Sequence, residues 1–292
     1  MNKCQAGTRR YFEGWYFKHQ NSDTVLSIIP GLSVDNRGKS HAFIQLITGE
    51  QAHCVYYPSA GYLADHKGPS IRIHECRFST KGITLKIDKP GFQAEGSLRY
   101  GPFTPLNYDI MGPFARLPAM ECRHGIVSLL HPVRGTLTVN GKGYCFDNGL
   151  GYIERDWGRS FPKRYRWIQG AGPEKGGWCA FASSARIPYL GLRFTGCIAV
   201  LYYEGHEYRF ATYNGAHAQE NGRHGLTFIK GRRRLELTAR PAGVQKLLAP
   251  QLGQMSRVVH EAACCPVTIR LWEGGTLVFE ASSAQGGFEA TP

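Results

Sequence analysis

The 292-residue chain contains no apolar run approaching the ~20 residues that a helix needs to cross a bilayer. Its opening stretch, MNKCQAGTRRYFEGWYF, lacks the apolar centre of a secretory signal. From these absences we expect the mature chain to be the whole chain and to lie in the cytoplasm. There is no C-x-x-C pair, and the nine cysteines are scattered singly apart from Cys264 and Cys265. That argues against a disulfide framework or a cysteine zinc site and for buried, reduced thiols. No Gly-rich phosphate loop runs into a helix, and no HExxH or paired-His pattern is present. No nucleotide, flavin or metal is therefore implied. Low-complexity tracts and fixed-period repeats are also missing. Helical periodicity is confined to GVQKLLAPQLGQMSRVV, Gly243 to Val259, where Pro250 limits any helix.

Acidic residues are the minority, 22 against 35 Lys and Arg, so the net charge is +13. Such an excess fits nucleic acid, an anionic membrane surface or plain solubility. The densest cluster, KGRRRLELTAR, places Lys230-Gly231 between two strand-like runs and reads as a solvated hairpin turn. No RNA-binding aromatic signature, helix-turn-helix or zinc finger accompanies it, so specific nucleic-acid binding ranks last. Peripheral contact with anionic lipid headgroups is the better use of the charge.

What is abundant is alternation with a period of two. HAFIQLIT, IRIHECRF, GITLKIDK, GTLTVNGKGYCF, CIAVLYYEGHEYRFATY and VTIRLWEGGTLVFEA read as strands, and Asn140-Gly141, Glu204-Gly205 and Gly274-Gly275 mark hairpins. The expected fold class is all-β, barrels or sandwiches with little helix. At this length two domains are expected.

Two segments crowd acids among large rings. In GYIERDWGRSFPKRYRWIQG, Gly151 to Gly170, an extended backbone puts Tyr152, Glu154 and Asp156 on one face and Ile153, Arg155 and Trp157 on the other. Two carboxylates that close and walled off from water would leave one protonated near neutral pH. The plainer reading sends both to solvent or pairs them with Arg155, Arg159, Lys163, Arg164 or Arg166. In YFEGWYFKHQ, Tyr11 to Gln20, alternation groups Tyr11, Glu13 and Trp15; aromatic packing with one tolerated acid is the plainer reading there. His124 and His131, seven apart, fall on opposite faces of a strand. His124 is best read as a structural histidine. His131 is either structural or a base. Tyr213 and Asn214 in ATYNGA form a turn or a polar cavity rim.

FEGWYFK together with GYIERDWGRSFPKRYRWIQ resembles the tocopherol cyclase family, including its bacterial members. ECRHGIVSLLHPVRGTLTVNGKGYCF and IPYLGLRFTGCIAVLYY add to the likeness, which is strongest from Glu121 to Ala216 and weak beyond Gly225. The resemblance implies two tandem lipocalin-like β-domains, which we place at 1–150 and 151–292, with a ligand cavity in or between the barrels. It implies acid-initiated ring closure of a prenylated phenol or quinol: an acid protonates a trisubstituted alkene and the phenol oxygen captures the tertiary cation. Such chemistry needs a carboxylic acid, a partner for the phenol and a dry cavity with aromatic walls.

Carried over by motif, Glu154 and Glu13 are the candidate acids, with Asp156 and His131 as further catalytic candidates. Asp156 stands where plant members carry Asn, and Gly170 where a Cys is expected after Gln169. Trp15, Tyr152, Trp157, Trp167, Gln169, Tyr213 and Asn214 are the candidate substrate contacts. We expect Glu13, Glu154 and Asp156 to face a common cavity walled by Trp15, Trp157 or Trp167, although Trp157 would need a bulge near Gly158 to turn toward them. The alternatives are a non-catalytic carrier of a lipophilic molecule and a hydratase of an isoprenoid alkene, in which water captures the cation.

Overall fold

In a computed structural model of the chain, residues 10–65, 68–189 and 191–291 are described. The extreme N-terminus, read above as lacking a secretory signal, lies largely outside them. The described residues contain strands and short 3₁₀ turns but no α-helix, so the all-β expectation holds. No helix among them is long and apolar enough to cross a membrane.

The first sheet has twelve strands: β1 (Tyr11–Gln20), β2 (Val25–Val34), β3 (Ser40–Thr48), β4 (Ala52–Pro58), β5 (Tyr62–Asp65), β6 (Ser70–Ile73), β7 (Cys76–Ser79), β8 (Gly82–Lys89), β9 (Phe92–Tyr100), β10 (Cys122–Val139), β11 (Lys142–Cys145) and β12 (Gly149–Gly158). Their spatial order is β4-β3-β2-β1-β12-β10-β9-β8-β7-β6-β5, with β11 paired to β10. The strands at the two ends of this order, β4 and β5, are joined only by the Ser59–Gly61 turn. Three residues span roughly 10 Å, so the sheet has to curl until its ends meet. Phe17 of β1 and Phe78 of β7 touch across the interior with ring centroids 5.4 Å apart. Residues Trp15, Phe17, Leu26, Ile44, Ile83, Leu85 and Val133 help fill that interior.

The second sheet repeats the plan with ten strands: β13 (Tyr165–Gly172), β14 (Trp178–Tyr189), β15 (Leu192–Tyr203), β16 (His206–Ala211), β17 (His217–Asn221), β18 (Gly225–Lys230), β19 (Arg233–Ala239), β20 (Gln245–Gln251), β21 (Gln254–Glu273) and β22 (Thr276–Ala290). Again a four-strand meander comes first, its leading strand pairs with the last strand of the sheet, and the two ends of the order are linked by the short segment 212–216, which contains the Thr212–Asn214 turn.

The chain divides into two compact units, one of Met1–Pro105, His124–Phe161 and Leu248–Val258, the other of Leu106–Arg123, Pro162–Leu247 and Val259–Pro292. The seam expected after Leu150 falls inside β12, which runs to Gly158 because its pairing with β1 closes the first sheet.

The hairpins read from Asn140-Gly141, Glu204-Gly205 and Gly274-Gly275 stand where expected. The single strand read over IRIHECRF is two, β6 and β7, turned at His74 with φ 56°. The helix expected over 243–259 is instead the β20–β21 hairpin. Its apex at Leu252 and Gly253 takes positive φ at both residues, which no helix accommodates.

Candidate functional site

Strands β1 and β12 pair without a register break from Phe12↔Gly158 to Gln20↔Leu150. Strict alternation follows. Glu13, Trp15, Phe17 and His19 of β1 share the inward face with Gly151, Ile153, Arg155 and Trp157 of β12, whereas Tyr16 and Lys18 share the outward face with Tyr152, Glu154 and Asp156. The faces expected within each strand are therefore right. The common cavity for Glu13, Glu154 and Asp156 is not: the ribbon carries two acid clusters back to back. No bulge turns Trp157 toward Glu154.

On the inward face the Arg155 guanidinium donates to Glu13 at 2.7 Å and lies between two indoles, 4.7 Å from the ring centre of Trp15 and 4.7 Å from that of Trp157. Tyr62, brought from β5, donates to the other Glu13 oxygen at 2.7 Å, and Tyr11 adds a longer 3.3 Å bond. Burial, reinforced by the Glu13 charge, pushes the Tyr62 and Tyr11 phenols well above their ordinary range, so both stay protonated donors. With three donors converging, Glu13 serves as a fixed acceptor on this face.

On the outward face β10 supplies His124. Its Nδ1 lies 2.8 Å from Asp156 Oδ1, and its Nε2 is 3.6 Å from Glu154 Oε2. The same Glu154 oxygen accepts the Tyr152 hydroxyl at 2.5 Å. Glu154 is buried, and Asp156 keeps partial contact with solvent. A carboxylate at Nδ1 fixes the tautomer and sets Nε2 as the exchangeable site, facing a second carboxyl group. The donor atoms of His124, Glu154 and Asp156 lie within 4.8 Å of one another, a spacing that one divalent ion could bridge. As placed, however, both ring nitrogens already face carboxylates.

The other expected site residues lie elsewhere. His131 is on the inward face of β10, buried, with Nδ1 3.0 Å from Ser128 Oγ and its ring against Tyr100 and Phe103. Burial, with the charge of His19 adding to it, holds its pKa down at about 3. The neighbouring His19, bonded to Tyr100 Oη at 2.6 Å, is held at about 4 by burial. His131 is thus a neutral core group on the face opposite Glu154 and Asp156, because alternation over seven residues puts it and His124 on opposite faces of β10. Trp167 and Gln169 belong to β13 in the second unit, on the face away from its core. There Gln169 reaches Cys179 Sγ at 3.8 Å, Tyr165 donates to Glu289, and Glu289 stands opposite Glu261. Tyr213 and Asn214 form the turn that links the ends of the second sheet. Asn214 accepts from the Ala211 amide at 3.0 Å, and Tyr213 donates to the Ile110 carbonyl at 2.9 Å.

Sequence reasoning missed His124, Arg155 and Tyr62 as members of these clusters. Alternation from His131 already placed His124 on the outward face; what it lacked was the pairing of β10 beside β12.

The fold defines an all-β, lipocalin-like protein, and its first sheet carries a half-buried His124–Asp156–Glu154 cluster. The chain belongs to the tocopherol cyclase-like family, whose model matches residues 92–291. That span contains His124, Glu154 and Asp156 and begins after Glu13 and Tyr62. The chloroplastic tocopherol cyclase of Zea mays is 23% identical over 171 residues, which cover 53% of this chain and 36% of the maize protein. The match thus spans about a third of that relative's length. Among solved structures, an AttH-type protein of Nitrosomonas europaea superposes with a TM-score of 0.55 at 13% identity, covering 96% of this chain and 92% of that one. Kievitone hydratase from Nectria haematococca gives 0.54 at 10% identity, covering 96% and 88%. At these identities the likeness establishes the fold.

Proposed function

We propose that the chain is an acid–base isomerase of the tocopherol cyclase type, acting on a prenylated phenol or quinol through the Asp156–His124–Glu154 relay. The observation that carries this reading is the imidazole of His124 held between two carboxyl groups, at 2.8 and 3.6 Å, inside the region matched by the family model. Asp156 orients the ring. His124 and Glu154 hold one transferable proton between them, and Tyr152 fixes the Glu154 oxygen. The proton passes to the less substituted carbon of the alkene, the phenol oxygen bonds to the tertiary carbon, and the phenolic proton returns to the relay. Bonds and protons balance without any external oxidant or base, so the product is an isomer of the substrate.

The test is incubation of purified chain with prenylated benzoquinols and phenols, with mass spectrometry of the products. An isomeric product lost in Glu154→Gln by on the order of a hundredfold or more supports the reading. A product heavier by one water assigns hydration instead, the activity named in the Nectria relative. Retention of the ligand unchanged by wild type assigns a carrier.

A further inference from the structure

The apex of the β20–β21 hairpin carries leucine at a position that in the chain's other such turns is taken by a polar residue, Asn140 or Glu204. Consecutive positive φ values occur at Asn140-Gly141 (48° and 80°), Glu204-Gly205 (49° and 76°) and Leu252-Gly253 (50° and 84°). Turns of this kind favour Asn or Asp followed by Gly, because a γ-branched apolar side chain gains nothing locally from the left-handed backbone. Leu252 is nevertheless 47% exposed, and Val258 on the same hairpin is 50% exposed. The strained residue is also the one held out to solvent.

The apex is anchored. Leu252 N–H donates to Ser160 Oγ at 2.8 Å and Gly253 N–H to the Arg159 carbonyl at 2.7 Å. Gly253 packs so tightly that an added Cβ would lie 2.0 Å from the Val34 carbonyl oxygen and 2.6 Å from Arg10 Cα. Around this seat stand the exposed Arg10, Arg159, Arg37 and Lys39. The single acid of the adjoining turn, Asp35, has its carboxylate accepting the amides of Arg37 and Lys39 at 2.8 Å each, which leaves the four cations in excess. The densest basic run of the sequence is less available: Arg233 pairs with Glu273 at 2.6 Å, and Arg234 pairs with Glu236 at 3.1 Å and stacks on Trp272.

We propose that this corner of the first unit is a docking site for an anionic lipid bilayer, with Leu252 entering the headgroup boundary and the Arg10, Arg37, Lys39 and Arg159 collar meeting the lipid charge. Charge complementarity selects the occupant: four exposed cations surround an exposed aliphatic apex. Docking there turns toward the bilayer the end of β1 and β12 that bears Glu13 and Asp156. The inference goes beyond the relay reading and stands whether or not that reading does.

The experiment is flotation of the full chain with vesicles of phosphatidylcholine alone or with about a third phosphatidylglycerol, at two salt concentrations. Binding to the anionic vesicles, weakened by salt, is expected. Leu252→Asn should weaken it roughly tenfold with an unchanged or higher melting temperature, since Asn tolerates the positive φ. The pair Arg37→Glu with Lys39→Glu should weaken it at least as much. Equal binding to both vesicle types, or wild-type binding by Leu252→Asn, would overturn the proposal. So would complete release by millimolar inorganic phosphate, which assigns the collar to a free anion. A concentration-dependent dimer abolished by Leu252→Asn assigns the apex to a second copy and overturns it equally.

Discussion

Glu13 and Glu154 lie three register steps apart on the same antiparallel pair and point to opposite faces of it, since Glu154 stands across from Tyr16 and Glu13 across from Trp157. One faces Arg155 and two phenols, the other an imidazole and one phenol. Their substitution should therefore fail in different ways. Glu154→Gln should lose turnover with little change in unfolding midpoint. Arg155→Met should leave a buried carboxylate without its cation and lower stability by about 3–5 kcal/mol, with Glu13→Gln restoring part of the loss. Denaturant unfolding of the two single variants and the double variant measures this coupling.

In the proposed relay Asp156 acts through His124, whose Nδ1 it holds at 2.8 Å. Asp156→Asn is expected to reduce kcat by about tenfold to a hundredfold with KM little changed, and Asp156→Glu to recover part of it. His124→Gln should be more severe, because it removes the group that exchanges the proton. Steady-state kinetics on all three separates positioning from proton transfer. Equal, complete loss in Asp156→Asn and Asp156→Glu would favour direct contact with substrate.

Exhaustive dialysis against a chelator should leave turnover and melting temperature unchanged, since Nδ1 of His124 is hydrogen-bonded to Asp156 and Nε2 faces Glu154 at 3.6 Å. If activity disappears and returns with one divalent metal, His124, Glu154 and Asp156 are ligands, and the proton relay has to be abandoned.

Acid should loosen the first barrel through His19 and His131. Their folded pKa values, about 4 and about 3, lie below the ordinary histidine value near 6.5. Below pH ~6.5 the unfolded chain takes up protons that the folded chain refuses, so stability falls progressively from there toward pH ~3. His131→Gln should lessen the fall throughout the window from pH ~6.5 to pH ~4, relative to its own neutral-pH melting temperature. Thermal melts from neutral pH down to pH ~4 provide the measurement.

Gly151 makes room for a side chain other than its own. A Cβ there would meet His131 Nε2 at 2.2 Å, so Gly151→Ala should be strongly destabilising. Combining it with His131→Ser should restore part of the loss. An additive double variant would show that the close approach is relieved by backbone movement.

Local pattern made much of the fold legible. Ile83, Leu85 and Ile87 alternate with Thr84, Lys86 and Asp88 as the strand requires, and Asn140-Gly141 named its own turn. The faces of Glu13 and of Glu154 followed from the same rule. Which of these residues meet did not, because it depends on pairings between distant segments: Tyr62 reaches Glu13 only once the sheet has curled, and His124 reaches Asp156 only once β10 has aligned beside β12. The misread helix over 243–259 has a physical cause as well. Leu247, Leu248, Gln251 and Met255 recur at spacings that suit a helix, and nothing local announces that a leucine takes the left-handed turn position.

Each barrel is closed by its first and last strands, β1 with β12 and β13 with β22, and the first unit also contains the tip of a hairpin formed by Leu248–Val258. On a ribosome delivering the chain from its N-terminus, β1 waits for β12 before it has a partner on that edge, and the unit is incomplete until the hairpin has emerged. Late, sequence-distant closure of this sort slows folding and leaves strand edges open meanwhile. Emergence of the Leu248–Val258 hairpin, more than emergence of β12, is then the event that commits the first unit to its native state, and a fragment cut before that hairpin inherits an unfinished wall.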